Sequence, residues 1–271
     1  MVPISIVIIT KNKAESIANN LDMAKLITND IVVIDNGSTD DTLVIAANYG
    51  CRIYQNTWEG YGANKNKGIA LARYDWILSM DADEVPDMEL VNSLHNLWYK
   101  NEEYVYDIKF RSYFGAKRIR FGSWGRDHHV RLFNRKLVKW TEPKVHETLI
   151  LPKQIKKRKL EGYLHHYSVK NIEECTNKAI YYARLSAEKY YQSGKKVNII
   201  NLYISPIFVF VKNYILLLGF LDGKEGWDIS KTTFKNRWLK YHHLNHLENI
   251  SKRKPALTNN FTIDCEVSMV K

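Results

Sequence analysis

The sequence predicts an α/β protein, a mostly parallel, doubly wound sheet carrying a helical appendage at its C-terminal end. Three observations support this. Short β-branched apolar runs alternate with helical stretches through the first third of the chain in the order β-α-β-α-β-α-β, the pattern of parallel strands joined by crossover helices. The runs do not alternate apolar with polar residues, so each reads as a strand covered on both faces. The last third changes in kind, to long helical and uncharged apolar segments.

Taken in order, Ile4–Ile9 is the first buried strand and ends at the polar turn Thr10-Lys11-Asn12-Lys13, ahead of a helix from about Ala14 to Met23. Ile31–Ile34 is the second strand and runs into Asp35-Asn36-Gly37-Ser38-Thr39-Asp40-Asp41-Thr42. There Gly37 permits a tight turn, and Ser38 with Asp41 makes a capping-box signature for a helix to Tyr49, which Gly50 stops. Arg52–Tyr54 is a short third strand, and the loop Trp58-Glu59-Gly60-Tyr61-Gly62 leads into a helix from about Ala63 to Ala72 carrying Lys65, Asn66 and Lys67. The fourth strand, Trp76-Ile77-Leu78-Ser79-Met80, stops at Asp81-Ala82-Asp83-Glu84.

Short right-handed connections leave these loops on one edge, so Thr10, Asp35, Lys65 and Asp81 are expected to converge where the strands end, the place ligands bind in open α/β sheets. Two carboxylates one residue apart at a strand end suit a divalent ion on a phosphate-bearing ligand. The plain alternative is that Asp83 caps a helix from Pro86 to Leu97. A G-x-G-x-x-G fingerprint and a G-x-x-x-x-G-K-[ST] loop are both missing from the sequence, which argues against NAD binding and P-loop ATP hydrolysis.

Beyond Glu84, Tyr104–Phe110 reads as a strand and Phe121-Gly122-Ser123-Trp124-Gly125-Arg126-Asp127-His128-His129 as a loop whose side chains can stack on sugars. Val130–Phe133 and Leu137–Trp140 flank a turn at Asn134-Arg135-Lys136 and suggest a hairpin, and Val145-His146-Glu147 follows. Ile172–Tyr191 is helical, with Ala179, Tyr182, Ala183, Ser186 and Tyr190 on one face. Val197–Val211 is uncharged over 15 residues, Lys212 interrupts, and Tyr214–Leu221 is apolar again. That is short for a bilayer span and is broken by Pro206 and Lys212, so it reads as helices lying on a membrane surface, with a dimer contact or a buried core as alternatives. Tyr203, Phe208, Phe210, Tyr214 and Trp227 beside Lys195, Lys196, Lys212 and Lys224 suit such an interface.

A chain of 271 residues, 45% hydrophobic and 25% charged, is long enough for one large domain with an appendage or two small domains. Cys51, Cys175 and Cys265 are far apart, odd in number and in no C-x-x-C pair, which points to a reducing compartment and away from a disulfide framework or structural zinc. The N-terminus has no basic region or small-residue cleavage site and reads as a strand, not a signal peptide. The net charge of +11 is uneven: residues 1–105 hold 8 Lys and Arg against 15 Asp and Glu, and residues 106–271 hold 32 against 14. The first part suits cations and the second anions, although some of these lysines are ordinary solvated surface. The basic run Lys153–Lys159, including Arg158, lacks interleaved aromatics, so anionic lipid or a phosphorylated acceptor fits it better than nucleic acid.

The ordered set Ile8-Ile9-Thr10-Lys11-Asn12, Val33–Thr42, Trp58–Gly62 with Lys65-Asn66, and Trp76–Glu84 resembles the family 2 glycosyltransferases of GT-A fold. That is a nucleotide-diphospho-sugar transferase fold with a mostly parallel, Rossmann-like sheet. The resemblance is nearest to the subgroup that adds a β-linked glucose to the lipopolysaccharide inner core. It continues through Arg131-Leu132-Phe133, Val145-His146-Glu147, Leu164–Ser168 and Gly219-Phe220-Leu221-Asp222-Gly223.

The resemblance implies a UDP-sugar donor contacted by Thr10, Asn12, Asp35, Ser38, Lys65, Asp81 and Ala82, with Asp35 accepting the base N–H. It implies Mg²⁺ or Mn²⁺ on Asp81 and Asp83, with His146 completing the shell. An inverting transfer then needs a carboxylate base, for which Asp127 is favoured and Glu147 is the alternative. For His128, His129, His165 and His166 a structural role is the better reading. Lys13 stands where the family commonly has an acid, and Asn36 replaces a usual serine.

The expected organisation is a catalytic domain over residues 1–168, with a donor and metal half at 1–105 and an acceptor half at 106–168. A membrane- or dimer-associated helical region over 169–250 and a tail over 251–271 follow. The expected activity is transfer of a hexose, glucose first among candidates, to a lipopolysaccharide-core-like or other lipid-anchored saccharide. The enzyme would be cytoplasmic, peripheral to the inner face of the cytoplasmic membrane, with an anionic membrane surface as partner, possible homo-oligomerisation and no nucleic acid. One rival is a sugar-nucleotide pyrophosphorylase, which would want a glycine- and arginine-rich first loop that Thr10–Lys13 does not supply. Another is a basic nucleic-acid- or membrane-binding protein that retains only the fold.

Overall fold

A computed structural model describes residues 2–142 and 147–253. The first part runs β1 (Ile4–Thr10), α1 (Ala14–Ile27), β2 (Ile31–Asp35), α2 (Thr42–Asn48), β3 (Arg52–Gln55), α3 (Tyr61–Ala70) and β4 (Trp76–Asp81). Then come β5 (Glu84–Pro86), α4 (Met88–His95), β6 (Tyr104–Phe114), β7 (Lys117–Arg118), a 3₁₀ turn at Trp124–Arg126, β8 (His128–Asn134), β9 (Lys139–Trp140), β10 (Leu149–Ile150) and β11 (Lys156–Val169). The helical region comprises α5 (Ile172–Gln192), a helix over 200–216 whose middle is α6 (Ser205–Val211), a 3₁₀ turn at Gly219–Asp222, and α7 (Gly223–Arg253).

Nine strands form one sheet in the order β3-β2-β1-β4-β8-β6-β11-β5, with β7 paired to β6. The β3-β2-β1-β4 half is parallel, β8 is antiparallel to both β4 and β6, and β11 is parallel to β6. All seven residues of β1 and all five of β2 are buried, because both faces are covered. Ile4, Ile6 and Ile8 pack with Ile17, Leu21, Ala24 and Ile27 of α1, whereas Val7 and Ile9 pack with Ile69, Ile77 and Phe133 on the opposite face. That two-sided burial is why the run shows no polar alternation. Truncating Ile6 or Ile8 to alanine would cost about 2–5 kcal/mol. In register, Thr10 lies beside Asp35 and Ile9 beside Asp81, so the ends of β1, β2 and β4 are level.

Four local expectations are corrected. The hairpin over Val130–Trp140 does not form: β8 pairs into the main sheet and β9 pairs with β10. The chain turns off at Asn134, and the Asn66 side chain on α3 instead holds the backbone N–H and C=O of Trp140. The Ser38 capping box is also absent, because Ser38 is used within its own loop and Asp40 accepts from both the N–H and the hydroxyl of Thr42. Asp87, not Asp83, caps the helix after β4, accepting from the Leu90 N–H at 2.9 Å. Finally, Pro206 does not break the helix over 200–216. It sits in the first turn of α6, where a proline's missing N–H is tolerated, and Lys212 lies within the same helix. The last helix runs on to Arg253, past the expected boundary, and most of the expected tail, with Cys265, lies outside the described residues.

Candidate functional site

A cavity of about 820 Å³ opens at the carboxyl ends of β1 and β4. Its sheet side is formed by Thr10, Asn36, Asp81 and Asp83, with Trp58 and Tyr61 from the loop before α3. The opposite wall comes from α5 and α7, through Lys178, Tyr182, Thr232 and Asn236, and Asp127, Trp124 and His166 close a third side. The C-terminal helices therefore complete the cavity as well as carrying an apolar surface.

The acids at its floor are surrounded by buried cations. Lys65 is 2% exposed; its Nζ donates to Glu147 Oε1 at 3.0 Å, lies 3.3 Å from Asp81 Oδ1, and sits 4.6 Å from the Trp140 ring centroid. Gly62 makes this approach possible, since a Cβ there would fall 1.8 Å from the Thr141 carbonyl oxygen and 3.2 Å from Glu147 Cβ. Arg131 is buried and donates a short hydrogen bond to Glu84 Oε1, with Asp81 Oδ2 at 3.4 Å. Glu84 Oε2 in turn accepts the Asp81 N–H at 3.1 Å.

Lys65 and Arg131 thus face three carboxylates, those of Asp81, Glu84 and Glu147, and the surplus negative charge must be relieved. Burial favours protonating Asp81, but Lys65 and Arg131, then His166, outweigh it and hold its carboxyl well below the usual range. Glu84 takes the opposite course. Burial pushes it up to about 8, against the pull of Arg131 and with Asp81 pushing the same way. Within this cluster Glu84 is therefore the carboxyl most inclined to hold a proton.

Asp83 is paired differently. Its Oδ2 accepts from Lys13 Nζ at 2.8 Å, and its Oδ1 lies 3.6 Å from His166 Nε2. Burial lowers the His166 value, while Asp83 and Asp81 partly offset the effect, so the imidazole is neutral at neutral pH. Asp127 sits on the cavity wall with Oδ1 2.9 Å from His129 Nε2. Burial acts to raise its carboxyl, but His129, with His166 and Arg131 beyond, brings it below its ordinary value.

The other expected contacts fall into two groups. Thr10 lines the cavity, and its buried hydroxyl has no hydrogen-bond partner among the described residues. Asp35, Asn12 and Ser38 instead hold the loop together. Asp35 is fully buried and accepts the Gly37 and Ser38 N–H groups, both at 3.0 Å, and the Ser38 hydroxyl at 2.5 Å. Asn12 accepts from the Thr39 N–H at 2.8 Å and donates its own N–H to Ser38 Oγ at 2.9 Å.

The structure therefore does not offer the Asp35 carboxylate to the cavity. Its neighbour Asn36 is there instead, held by Thr10 O and Asn64 Nδ2. Lys65 and Glu147 lie behind the wall, and Ala82 is buried with its carbonyl accepting from Ser16. His146 lies outside the described residues. His166, for which a structural role was expected, faces the cavity beside Asp83. Arg131 and Glu84 gave no sequence signal beyond their place in the motifs, because antiparallel insertion of β8 is what brings Arg131 to β4.

For a divalent ion the donor types fit: the carboxylates of Asp81 and Asp83 and the neutral imidazole of His166, with Asp81 Oδ1 a buried oxygen 3.3 Å from Lys65 Nζ. Among the described residues no three such side chains are already gathered around one point. On the Asp83 side, Lys13 Nζ pairs with Oδ2 at 2.8 Å.

Comparison with known proteins adds the following. The glycosyl transferase family 2 model matches residues 5–162. An uncharacterized glycosyltransferase of Rickettsia typhi is 29% identical over 98% of this chain and 94% of its own length. One from Rickettsia prowazekii is 31% identical over 84% of this chain and 81% of its own. The lipopolysaccharide core biosynthesis glycosyltransferase LpsC of Rhizobium meliloti is 25% identical over 73% of this chain and 78% of its own. Among solved structures, glucosyl-3-phosphoglycerate synthase of Mycobacterium tuberculosis with Mn²⁺, uridine-diphosphate and glucosyl-3-phosphoglycerate matches at a TM-score of 0.34 and 24% identity. That match covers 41% of this chain and less than half, 44%, of that one.

Proposed function

Because the chain belongs to glycosyl transferase family 2 and has the GT-A fold, we propose that it is an inverting, metal-assisted hexosyltransferase. It moves a hexose, glucose first among candidates, from a UDP-sugar to a lipid-anchored saccharide of lipopolysaccharide-core type. The observation that carries this reading is the cavity itself. Its volume lies within the ~300–1,000 Å³ usual for small-molecule sites, and its polar groups come from separate loops that the level strand ends bring together.

In this reading Thr10 and Asn36 meet the base and ribose, with Asp35, Ser38 and Asn12 holding their loop in shape. Asp81, Asp83 and His166 would hold Mg²⁺ or Mn²⁺, which would supply charge neutralisation to a departing diphosphate. Lys13 leaves Asp83 when the donor arrives, its ammonium then turning to the diphosphate. Asp127 accepts the proton of the attacking acceptor hydroxyl as that oxygen bonds the anomeric carbon from the face opposite the leaving group. The bond from that carbon to the diphosphate oxygen breaks, and UDP departs. The depressed value of Asp127 keeps it unprotonated at neutral pH, as a base must be. Glu147 is the weaker candidate because Lys65 already binds it behind the wall.

A lipid-anchored acceptor is supported by the surface of the C-terminal helices. Ile200, Tyr203, Ile204, Ile207 and Phe208 recur at helical spacing and are all exposed, an apolar stripe turned to water. Lys195, Lys196, Lys212 and Lys224 are also exposed, which suits an anionic bilayer at the cytoplasmic face. Among the described residues no single helix is long and apolar enough to cross a membrane, although the pair 200–216 and 219–251, bent by 68°, passes together on length and composition.

The test is to incubate the protein with a panel of nucleotide sugars, with and without Mn²⁺, and measure nucleotide release and transfer to a core saccharide. Metal-dependent release from a UDP-hexose supports the proposal, and release from none of the panel overturns it. Flotation with vesicles containing anionic lipid tests the membrane part. A protein that stays in the unbound fraction and self-associates through the stripe would replace that part with a homo-oligomer.

A further inference from the structure

The segment Gly219-Phe220-Leu221-Asp222-Gly223 does not line the cavity, yet it contains one of the few buried carboxylates outside the sheet among the described residues. Asp222 is 4% exposed and accepts two consecutive backbone N–H groups, from Arg120 at 3.1 Å and Phe121 at 2.8 Å. Its backbone carbonyl accepts from Lys117 Nζ at 2.6 Å. The next amide, Gly122 N–H, donates to the Leu217 carbonyl at 2.9 Å. The one after it, Ser123 N–H, donates to Oδ1 of Asn213 at 2.7 Å; Asn213 is also 4% exposed, and its Nδ2 donates to Ser230 Oγ at 3.1 Å.

Four successive amides, 120 to 123, are thus all satisfied by residues 213–222, about a hundred positions further along the chain. The clamp is a tight one. A Cβ on Gly122 would lie 3.0 Å from Asn213 Oδ1, and one on Gly226 would lie 1.8 Å from the Gly219 carbonyl oxygen. Directly beyond the clamped amides the chain makes its 3₁₀ turn and presents Trp124 and Asp127 to the cavity.

We propose that Asp222 and Asn213 are positioning residues that fix the acceptor loop 120–127, and that through them the apolar helix over 200–216 is fastened to the wall carrying Asp127. The inference rests on the glycosyltransferase reading above. A run of backbone donors can be held in one conformation only if each finds an acceptor, and a carboxylate shared by two amides makes stronger, charge-assisted bonds than a neutral group would. Removing it frees the loop while leaving the donor side of the cavity, on β1, β2 and β4, intact.

The experiment compares wild type with Asp222→Ala, Asn213→Ala and the conservative Asp222→Asn and Asn213→Asp, each of which retains an oxygen acceptor. Three quantities are read: UDP-glucose binding, transfer to a deacylated lipopolysaccharide core oligosaccharide, and thermal midpoint. The expected result is that the alanine variants lose transfer by about 100-fold, the scale of a misplaced reacting group. Donor binding should stay within about twofold of wild type, and the conservative variants should recover part of the transfer. Unchanged transfer in both alanine variants overturns the proposal. So does a parallel fall of binding and transfer that tracks the thermal midpoint, which is what mere loss of folding gives. If wild type itself neither binds nor turns over any UDP-sugar, the glycosyltransferase reading fails first and takes this inference with it.

Discussion

The carboxyl edge of the parallel strands and the helical segment 199–221 depart from globular habit in opposite ways. At the strand edge charge is hidden: Lys65, Arg131 and Glu84 are buried together. In the helical segment apolar side chains are left in water, Ile199 at 74% exposure and Leu216 at 62%. Burying unmatched charge and exposing a continuous apolar stripe are each costly in a free-standing domain, so each marks a surface made for something else. On the proposed function, the strand edge is where the donor and its metal would sit, and the exposed stripe is where a bilayer would. The clamp at Asp222 and Asn213 ties the second region to the loop that carries Asp127.

The comparison can be broken at several points. The largest effect is expected at the cavity wall: Asp127→Asn should lower transfer by roughly 10²–10⁴-fold, the usual contribution of a general base, and leave nucleotide binding unchanged. Steady-state transfer with a binding titration checks this, and near-normal turnover moves the role to Glu147. Asp127 is held below its ordinary value, so protonation of this base should not limit transfer until pH falls below the ordinary Asp value of ~3.9, and an acid limb set by Asp127 at higher pH would contradict its assignment.

Next in size is Lys65→Met. It strands Asp81 and Glu147 in the buried cluster and should cost about 3–5 kcal/mol of stability, read by denaturant unfolding. On the exposed side, Ile204→Glu with Phe208→Glu should weaken binding to anionic vesicles about tenfold or more, with turnover on a soluble acceptor unaffected. The two apolar side chains are each worth ~1.5–3 kcal/mol when removed from water, and undiminished flotation would show that the stripe faces something else.

The smallest expected effect is a slope. Glu84 binds its proton more tightly in the folded than in the unfolded chain, so its contribution to stability is full at acidic pH. It is lost as pH rises from the unfolded value of ~4.3 toward about 8. Glu84→Gln should flatten the fall in thermal midpoint over that window, and an unchanged slope would place the retained proton elsewhere in the cluster.

Much of the strand-edge region was legible because its signals are local. Two-sided burial writes itself as unbroken β-branched runs, and the turn after each run names the residues at the strand end. The convergence of Thr10, Asp35, Lys65 and Asp81 follows from parallel strands of matched length. What was less legible depended on side-chain direction or distant partners. Asp35 has Gly37 and Ser38 at the spacing of a turn that folds a carboxylate onto its own backbone, and in the structure it accepts from both of their N–H groups. His166 and Arg131 reach the acids only because β11 and β8 are set into the sheet as they are. The clamp had no local signature, since Asp222 answers amides a hundred residues earlier.

The account stands on a nucleotide-sugar pocket floored by Asp81 and Asp83. Isothermal titration of UDP-glucose into wild type and Asp83→Ala, each with and without Mn²⁺, tests it most directly. The expected result is saturable binding to wild type that strengthens with Mn²⁺, and loss of that strengthening in the variant. No uptake by wild type, or identical metal-enhanced binding by both proteins, would contradict it.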